Sequence, residues 1–203
     1  KNDISNHFLR AVISNETDNY RAFISKIDGH LENSKLAIEV EQSLSGNEDG
    51  LITRMFVHLH HGRHKKIFIS STLISIYSYL ETTLEEICSL FSECYGTKLK
   101  LKDISGCGVE RSKNYLDLVH SIDFNSLNVE WEAIKKFNLI RNCFVHAGGD
   151  PYASKSSKKL LKAIENLPGL SVQGNLIVVT SEYLKHILEK IQCFLIKILE
   201  NAA

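Results

Sequence analysis

The sequence has no excess of charge of either sign and almost no proline. Lysine and arginine together number 24, aspartate and glutamate also number 24, and the formal net charge is zero. Such a chain can meet a nucleic acid only through a local basic patch. Its two prolines and 43% of apolar residues exclude collagen-like, disordered and low-complexity classes. They indicate one globular domain, with or without an appended arm.

Long apolar runs and regularly spaced cysteines are absent as well. The most apolar stretch, residues 67–80, is interrupted by serines and a threonine, so we expect neither a membrane span nor a signal peptide. The five cysteines form no Cys-x-x-Cys pair, and their odd number favours reduced thiols in a cytoplasmic protein. A chain of this length buries about 70% of its unfolded surface, so it needs neither a disulfide nor a metal to fold.

Apolar residues recur at helical spacing along most of the chain. Residues 1–50 are predicted to form an N-terminal helical arm, which a turn-forming cluster at 45–50 separates from a helical domain at 51–203. The helices predicted within that domain span 51–95 with an interruption at Gly62, 109–122, 130–147, 155–167 and 182–200.

One segment has the pattern of strands. In residues 170–179, two halves that contain the β-branched residues Val172, Ile177, Val178 and Val179 flank Gly174-Asn175, which predicts a small β-hairpin. Thr180 or Ser181 is expected to cap the last helix. Because strands and helices do not alternate, the predicted fold class is all-α: a helical bundle with a long N-terminal helical arm and one small β-hairpin.

The residues best suited to chemistry end the helix predicted at 130–147. Asn142 and His146 are four residues apart and share a face, whereas Arg141 and His146 are five apart, about 140° around the helix. One helix therefore cannot aim both Arg141 and His146 at one point unless its last turn unwinds. Two copies packed across a twofold axis could assemble a shared site from both motifs.

Each of these residues also has a purely structural interpretation. Arg141 can be an ion-pairing residue, and His146 a histidine stabilised by the dipole at the end of its helix. Asn142 can orient His146 or a phosphate, and helix capping is an equally good interpretation. Glu81, on the long helix, either faces Arg141 as a partner or is a solvated residue.

The pattern Arg-Asn-x-x-Val-His-x-Gly at 141–148 follows a long helix that reads Ile-Tyr-Ser-Tyr-Leu-Glu-Thr-Thr-Leu-Glu-Glu-Ile-Cys at 76–88. Together they resemble the HEPN superfamily of small helical proteins over roughly residues 63 to 200. The resemblance implies a HEPN-like bundle and a metal-independent endoribonuclease without cofactors. It also implies a homodimer in which the two Arg-x4-His motifs face one another, with single-stranded RNA as substrate.

The same resemblance assigns catalysis to Arg141 and His146, with Asn142 beside them. Histidine titrates near neutrality and serves as acid or base, and arginine offers a fork of donors for phosphate oxygens. The expected products end in a 2′,3′-cyclic phosphate and a 5′-hydroxyl. The implied roles are a toxin or an anti-phage defence effector, with an antitoxin or regulatory partner. The alternative is a non-catalytic HEPN module that binds nucleotides or a partner protein.

One position departs from a related pattern. HEPN toxins silenced by a nucleotidyltransferase antitoxin commonly carry a tyrosine two residues after the histidine, and that position is Gly148 here. Silencing through modification of such a tyrosine is therefore unsupported, while a different antitoxin or a sensor domain remains open.

Substrate-binding residues are expected outside the motif. Arg63, Lys65 and Lys66 form a candidate phosphate-contacting patch, and Tyr152 is a loop aromatic within reach of a base. Basic stretches at 98–102 and 155–162 either help to hold RNA or are solvated faces.

Histidines cluster between residues 58 and 64. His58, His60, His61 and His64 have spacings that could bind a metal on a helix. No cysteine or carboxylate lies nearby to complete the ligand set, so a solvated basic turn is favoured and no metal site is predicted.

Overall fold

The computed structural model describes residues 2–44 and 49–201, with side chains described at 6–36, at 59 and over 61–201. Six α-helices and one two-stranded antiparallel hairpin occupy this part of the chain, which confirms the all-α prediction. The elements are α1 (Asn2–Leu44), α2 (Asp49–Cys94), α3 (Gly108–His120), α4 (Asn128–Ala147), α5 (Ser157–Glu165), β1 (Leu170–Gln173), β2 (Leu176–Val179) and α6 (Ser181–Glu200). A short 3-10 turn, Leu101–Asp103, precedes α3.

The core is built around α6, which packs against α1, α2 and α4. A helix with neighbours on several sides must be apolar over most of its circumference. The buried residues of α6 fit this requirement and are Tyr183, Leu184, Ile187, Leu188, Ile191, Phe194, Leu195, Ile198 and Leu199.

The long helix α2 supplies the second side of the core. Its apolar residues repeat every three or four positions, so that they line one face over about four turns. The fully buried members of this face are Leu73, Ile76, Leu80, Leu84 and Ile87. Tyr77 lies on the edge of the same face and reaches α4, where its ring centroid is 5.8 Å from that of Phe137.

The interruption predicted at Gly62 is wrong, because α2 runs without a break from Asp49 to Cys94. A glycine inside a helix costs about 1 kcal/mol relative to alanine, which packing elsewhere on the helix readily outweighs. Apart from the backbone of α2 itself, no atom of the described residues lies within 4 Å of the position that a Cβ at Gly62 would take. The residue therefore faces open space, where no neighbouring element diverts the chain.

The predicted hairpin and helix cap are both confirmed. Strand β1 pairs with β2 in a register that places Leu170 opposite Val179, and Gly174 turns the chain with a φ of 58°. The hairpin is tied to the end of α4, because the Ile177 amide donates to the Gly149 carbonyl at 2.9 Å. Thr180 caps α6 through its hydroxyl, which accepts a hydrogen bond from the Tyr183 amide.

The described part of α1 forms one layer of the bundle. Its residues Ile13 and Ile24 are buried, and the helix packs against α6 and α2. Polar contacts add to this packing, since Arg21 donates to the Gln192 side chain at 2.8 Å. The turn-forming residues 45–48 lie outside the described part of the chain, so the division into an arm and a domain remains a prediction.

One buried carboxylate helps to join α4 to α6. Glu130 is 5% exposed, and its Oε1 accepts hydrogen bonds from the Lys197 ammonium at 2.9 Å and the Cys193 thiol at 3.3 Å. Burial by itself raises the pKa of Glu130. The hydrogen bonds from Lys197, from the backbone and from Cys193 outweigh that effect and hold the pKa below its ordinary value.

We predict that Glu130→Gln lowers the free energy of unfolding at neutral pH by about 1.5–3 kcal/mol, because the Lys197 ammonium then faces a neutral amide oxygen in place of a carboxylate. A lowered folded-state pKa stabilises the protein above the unfolded-state value of about 4.3, and the effect disappears as the pH falls through the folded-state value. Urea unfolding should therefore show the variant and the wild type converging at acid pH.

The matched control is Glu132→Gln on the same helix. Glu132 pairs with Lys135 at 2.6 Å, but both side chains are more than 40% exposed. Its loss should change the free energy of unfolding by less than about 1 kcal/mol. Equal effects of the two substitutions would contradict the role given to Glu130.

Candidate functional site

The end of α4 is shaped by two glycines. Gly148 has a φ of 59° and Gly149 a φ of 86°, and both amides donate to the Cys143 carbonyl. A Cβ at Gly149 would lie 3.2 Å from the Phe144 ring, so a larger residue would meet both backbone strain and a close contact. The two glycines end the helix at Ala147, one residue after His146, and turn the chain into the loop at 150–156.

Arg141 is half-buried between α4 and α2. Its guanidinium lies over the Tyr77 ring, 4.9 Å from the ring centroid, as in a cation–π contact. Its Nη1 donates to the Asn142 Oδ1 at 2.9 Å, and the Asn142 Nδ2 donates to the Asn138 Oδ1 at 3.0 Å. An aromatic ring beneath it and a carboxamide beside it therefore hold the guanidinium in one orientation.

Glu81 is near enough to Arg141 for their charges to interact, but Arg141 forms no ion pair with any of the described residues. The buried Nε of Arg141 has no hydrogen-bond partner among them. Removing a guanidinium from water without a paired carboxylate is costly. This arrangement is the one expected where an external anion completes the site.

The charge of Arg141 affects Glu81, although the two residues form no ion pair. Burial raises the pKa of Glu81, the charge of Arg141 lowers it, and Glu85 raises it, with a net upward shift. Burial also raises the pKa of Tyr77 to about 12, with Glu81 adding to the effect and Arg141 opposing it. The Tyr77 ring is therefore a neutral phenol at physiological pH and presents its π face to the guanidinium.

His146 has different surroundings. It is exposed and lines a cavity of about 590 Å³ between the end of α4 and the loop that follows. The lining residues are Leu139, Asn142, His146, Ala147, Ala153, Ser154, Lys155 and Ser156. Arg141 is not among them, in keeping with the angular separation that the five-residue spacing predicts.

Asn142 connects the two halves of the motif. It lines the cavity together with His146, while its carboxamide accepts a hydrogen bond from Arg141. Its other hydrogen bond goes to the Asn138 side chain. Helix capping by Asn142 would need a hydrogen bond to a backbone group. Both of these partners are side chains, so these hydrogen bonds do not support the capping interpretation.

The predicted substrate-binding residues lie apart from this cavity. Lys65 and Lys66 line a second groove of about 360 Å³ between α2 and the hairpin, with Phe144 and the strand β2 as its apolar walls. Arg63 is exposed on α2, and Tyr152 is 58% exposed on the loop after α4. The structure thus brings none of the four into the wall of the His146 cavity.

Lys155 is the cavity residue that the sequence did not single out. It lies within a basic stretch, but its place beside His146 depends on how the loop folds back over α4. The sequence signals were its membership of the basic stretch at 155–162, the short distance of nine residues from His146, and the glycine pair that turns the chain between them.

The histidine cluster gives no metal centre in the described residues. The side chains of His58 and His60 lie outside that part of the chain. Among the side chains that are described, no group of three or more His, Cys, Asp or Glu residues could hold a metal ion.

Comparison of the chain with protein-family models, with curated proteins and with solved structures finds no match. The HEPN resemblance therefore depends on the motif at 141–148 and on the long helix before it. Among the described helices, none combines the length and the apolar character needed to cross a bilayer.

We predict an energetic coupling between Tyr77 and Arg141. In a double-mutant cycle of Tyr77→Leu and Arg141→Met, urea unfolding should give an interaction free energy of about 0.5–2 kcal/mol, the range of a cation–π contact. Tyr77→Phe keeps the ring and should retain most of this coupling. Strictly additive effects of the two substitutions would exclude a role of the ring in holding the guanidinium.

Proposed function

We propose that the protein is a metal-independent endoribonuclease of the HEPN type that cleaves single-stranded RNA. The observation that carries the proposal is the half-buried guanidinium of Arg141, which lacks a carboxylate partner among the described residues. Asn142 links it to a cavity in which His146 is exposed. A fixed cation beside an exposed imidazole suits the handling of a phosphodiester.

The reaction needs no group beyond these side chains and the RNA. A neutral imidazole removes the proton of the 2′-hydroxyl, and the resulting oxygen attacks the adjacent phosphorus. The bond from phosphorus to the 5′-oxygen breaks, and that oxygen takes a proton from an imidazolium. Arg141 stabilises the extra negative charge on the phosphorane. The products are a 2′,3′-cyclic phosphate and a 5′-hydroxyl.

A homodimer would complete this site. Within one chain, Arg141 faces Tyr77 while His146 faces the cavity, so the two side chains do not meet at one point. A second copy is the simplest source of an Arg141 that lies opposite the His146 of the first. Exposed apolar residues near Arg141 suit such an interface. Val145, one turn after Arg141, is 42% exposed, and Ile74, one turn before Tyr77, is 37% exposed.

The biological role that fits this activity is a toxin or an anti-phage defence effector in the cytoplasm. The five cysteines of the protein are all free thiols, as suits a reducing compartment. An RNase of this kind needs restraint by an antitoxin or another regulatory partner, and the exposed side of α1 is the surface that we assign to such a partner. Phe8 and Phe23 are 69% and 50% exposed there.

The test is cleavage of labelled single-stranded RNA by the purified protein in EDTA, with identification of the product ends. We expect cyclic phosphate products from the wild type. His146→Ala should lower the rate by about 10²–10⁴-fold, the usual contribution of a general acid or base. Arg141→Ala should lower it by about 10²–10³-fold, as does the loss of one charge-stabilising group.

The matched control is His186→Ala, which removes an exposed histidine on α6 and should leave the rate unchanged. Equal rates for wild type and His146→Ala would assign the cleavage to a contaminant and contradict the proposal. A folded protein that binds RNA through Arg141 but cleaves none would favour the non-catalytic binding module.

A further inference from the structure

The wall of the His146 cavity opposite α4 consists of a short loop segment with one cation and two hydroxyls. We propose that Lys155, with Ser154 and Ser156, binds a phosphate group of the RNA. This group is the one next to the scissile phosphate on the same strand. The inference deepens the proposed function and rests on it for the identity of the strand. The loop residues act in binding and take no part in proton transfer.

The loop that carries Lys155 is held by its own hydrogen bonds. The Asp150 Oδ1 accepts from the amides of Tyr152 at 2.8 Å and Ala153 at 3.2 Å, and Pro151 is buried. The Ser154 carbonyl accepts from the Ser157 amide at 3.1 Å, which leads the chain into α5. Because the loop backbone is held in this way, it loses little entropy on binding, and the remaining cost is the ordering of the Lys155 side chain.

The lining of the cavity contains basic and neutral residues but no acidic ones. Among its eight residues there is no aspartate or glutamate, although the chain as a whole has as many acidic as basic residues. Lys155 forms no ion pair with a described carboxylate. The Ser154 Oγ accepts from the Ser156 amide at 3.3 Å, and neither serine hydroxyl is the donor in a hydrogen bond between described residues. A wall of donors without a carboxylate is suited to an anion.

The size of the cavity agrees with one nucleotide unit. Its volume of about 590 Å³ lies within the range of about 300–1,000 Å³ that is usual for small-ligand sites. Leu139, Ala147 and Ala153 supply apolar surface beside the polar wall. A single strand can turn one nucleotide into such a recess, whereas a duplex keeps its bases stacked and paired.

The chain provides a close control for Lys155. Lys159 lies four residues further on, is also exposed and is also lysine, but it belongs to α5 and does not line the cavity. If the basic stretch acted only as a diffuse charged surface, Lys155 and Lys159 would contribute alike. If the cavity binds a phosphate, only Lys155 matters.

The experiment measures the binding of a fluorescent single-stranded RNA whose 2′-positions are methylated, so that it cannot be cleaved. Fluorescence anisotropy is recorded over a series of salt concentrations for the full chain and for Lys155→Ala, Lys155→Arg and Lys159→Ala. We expect Lys155→Ala to weaken binding about fivefold and to reduce the salt slope by about 0.7, the loss of one phosphate contact on a single strand. Lys155→Arg should largely restore both, and Lys159→Ala should change neither.

Cleavage assays on the same variants separate this inference from the proposed function. Lys155→Ala should raise KM for single-stranded RNA without 2′-methyl groups about fivefold and leave kcat within about twofold, as expected when only binding is lost. If RNA binding depends on Lys155 but the protein has no RNase activity, the phosphate-binding site is supported and the proposed nuclease function is contradicted.

Two results would overturn the inference. The first is an equal effect of Lys155→Ala and Lys159→Ala on affinity and salt slope, which would show a diffuse basic surface. The second is RNase activity with an unchanged KM in Lys155→Ala, which would keep the nuclease and remove Lys155 from the site. Because Lys155 is exposed, both alanine variants should melt at the wild-type temperature, and this is checked by circular dichroism.

Discussion

The candidate site depends on how α4 is held between α2 and α6. On one side, Trp131 of α4 stacks on Phe194 of α6 with ring centroids 5.9 Å apart. On the other, Phe137 of α4 packs against Tyr77 of α2 at 5.8 Å. These contacts fix the rotation of α4 about its own axis. That rotation in turn decides that Arg141 lies over α2 while the polar side of the helix end faces the cavity.

The spacing of the motif then limits what one chain can do. A rigid helix sends residues five apart in different directions, and here Arg141 rests on Tyr77 while His146 lines the cavity with Asn142. The glycines after His146 end the helix without unwinding its last turn, so they do not remove this separation. This separation is the reason for proposing a dimeric site, in which the Arg141 guanidinium of one copy and the His146 imidazole of another act on the same phosphate.

Electrostatics at the site differ from those of the chain as a whole. The protein has no net charge, yet Arg141 and Lys155 both lack a carboxylate partner among the described residues. Glu130 illustrates the opposite solution, in which a buried charge is compensated by Lys197 and Cys193. Buried or fixed charges that a protein does not pair internally are the ones available to a ligand.

Local sequence determined the helices, the hairpin around Gly174, a cap at Thr180 or Ser181, and the common face of Asn142 and His146, because each depends on neighbours within a few residues. Tertiary packing alone decided that α2 continues through Gly62 and that Tyr77 lies beneath Arg141. It also decided that Lys155 joins the cavity of His146 while Lys65 and Lys66 lie in another groove. These placements depend on contacts between residues that are distant along the chain. A periodic pattern of apolar residues indicates which face of a helix is buried, but it does not indicate which other helix covers that face.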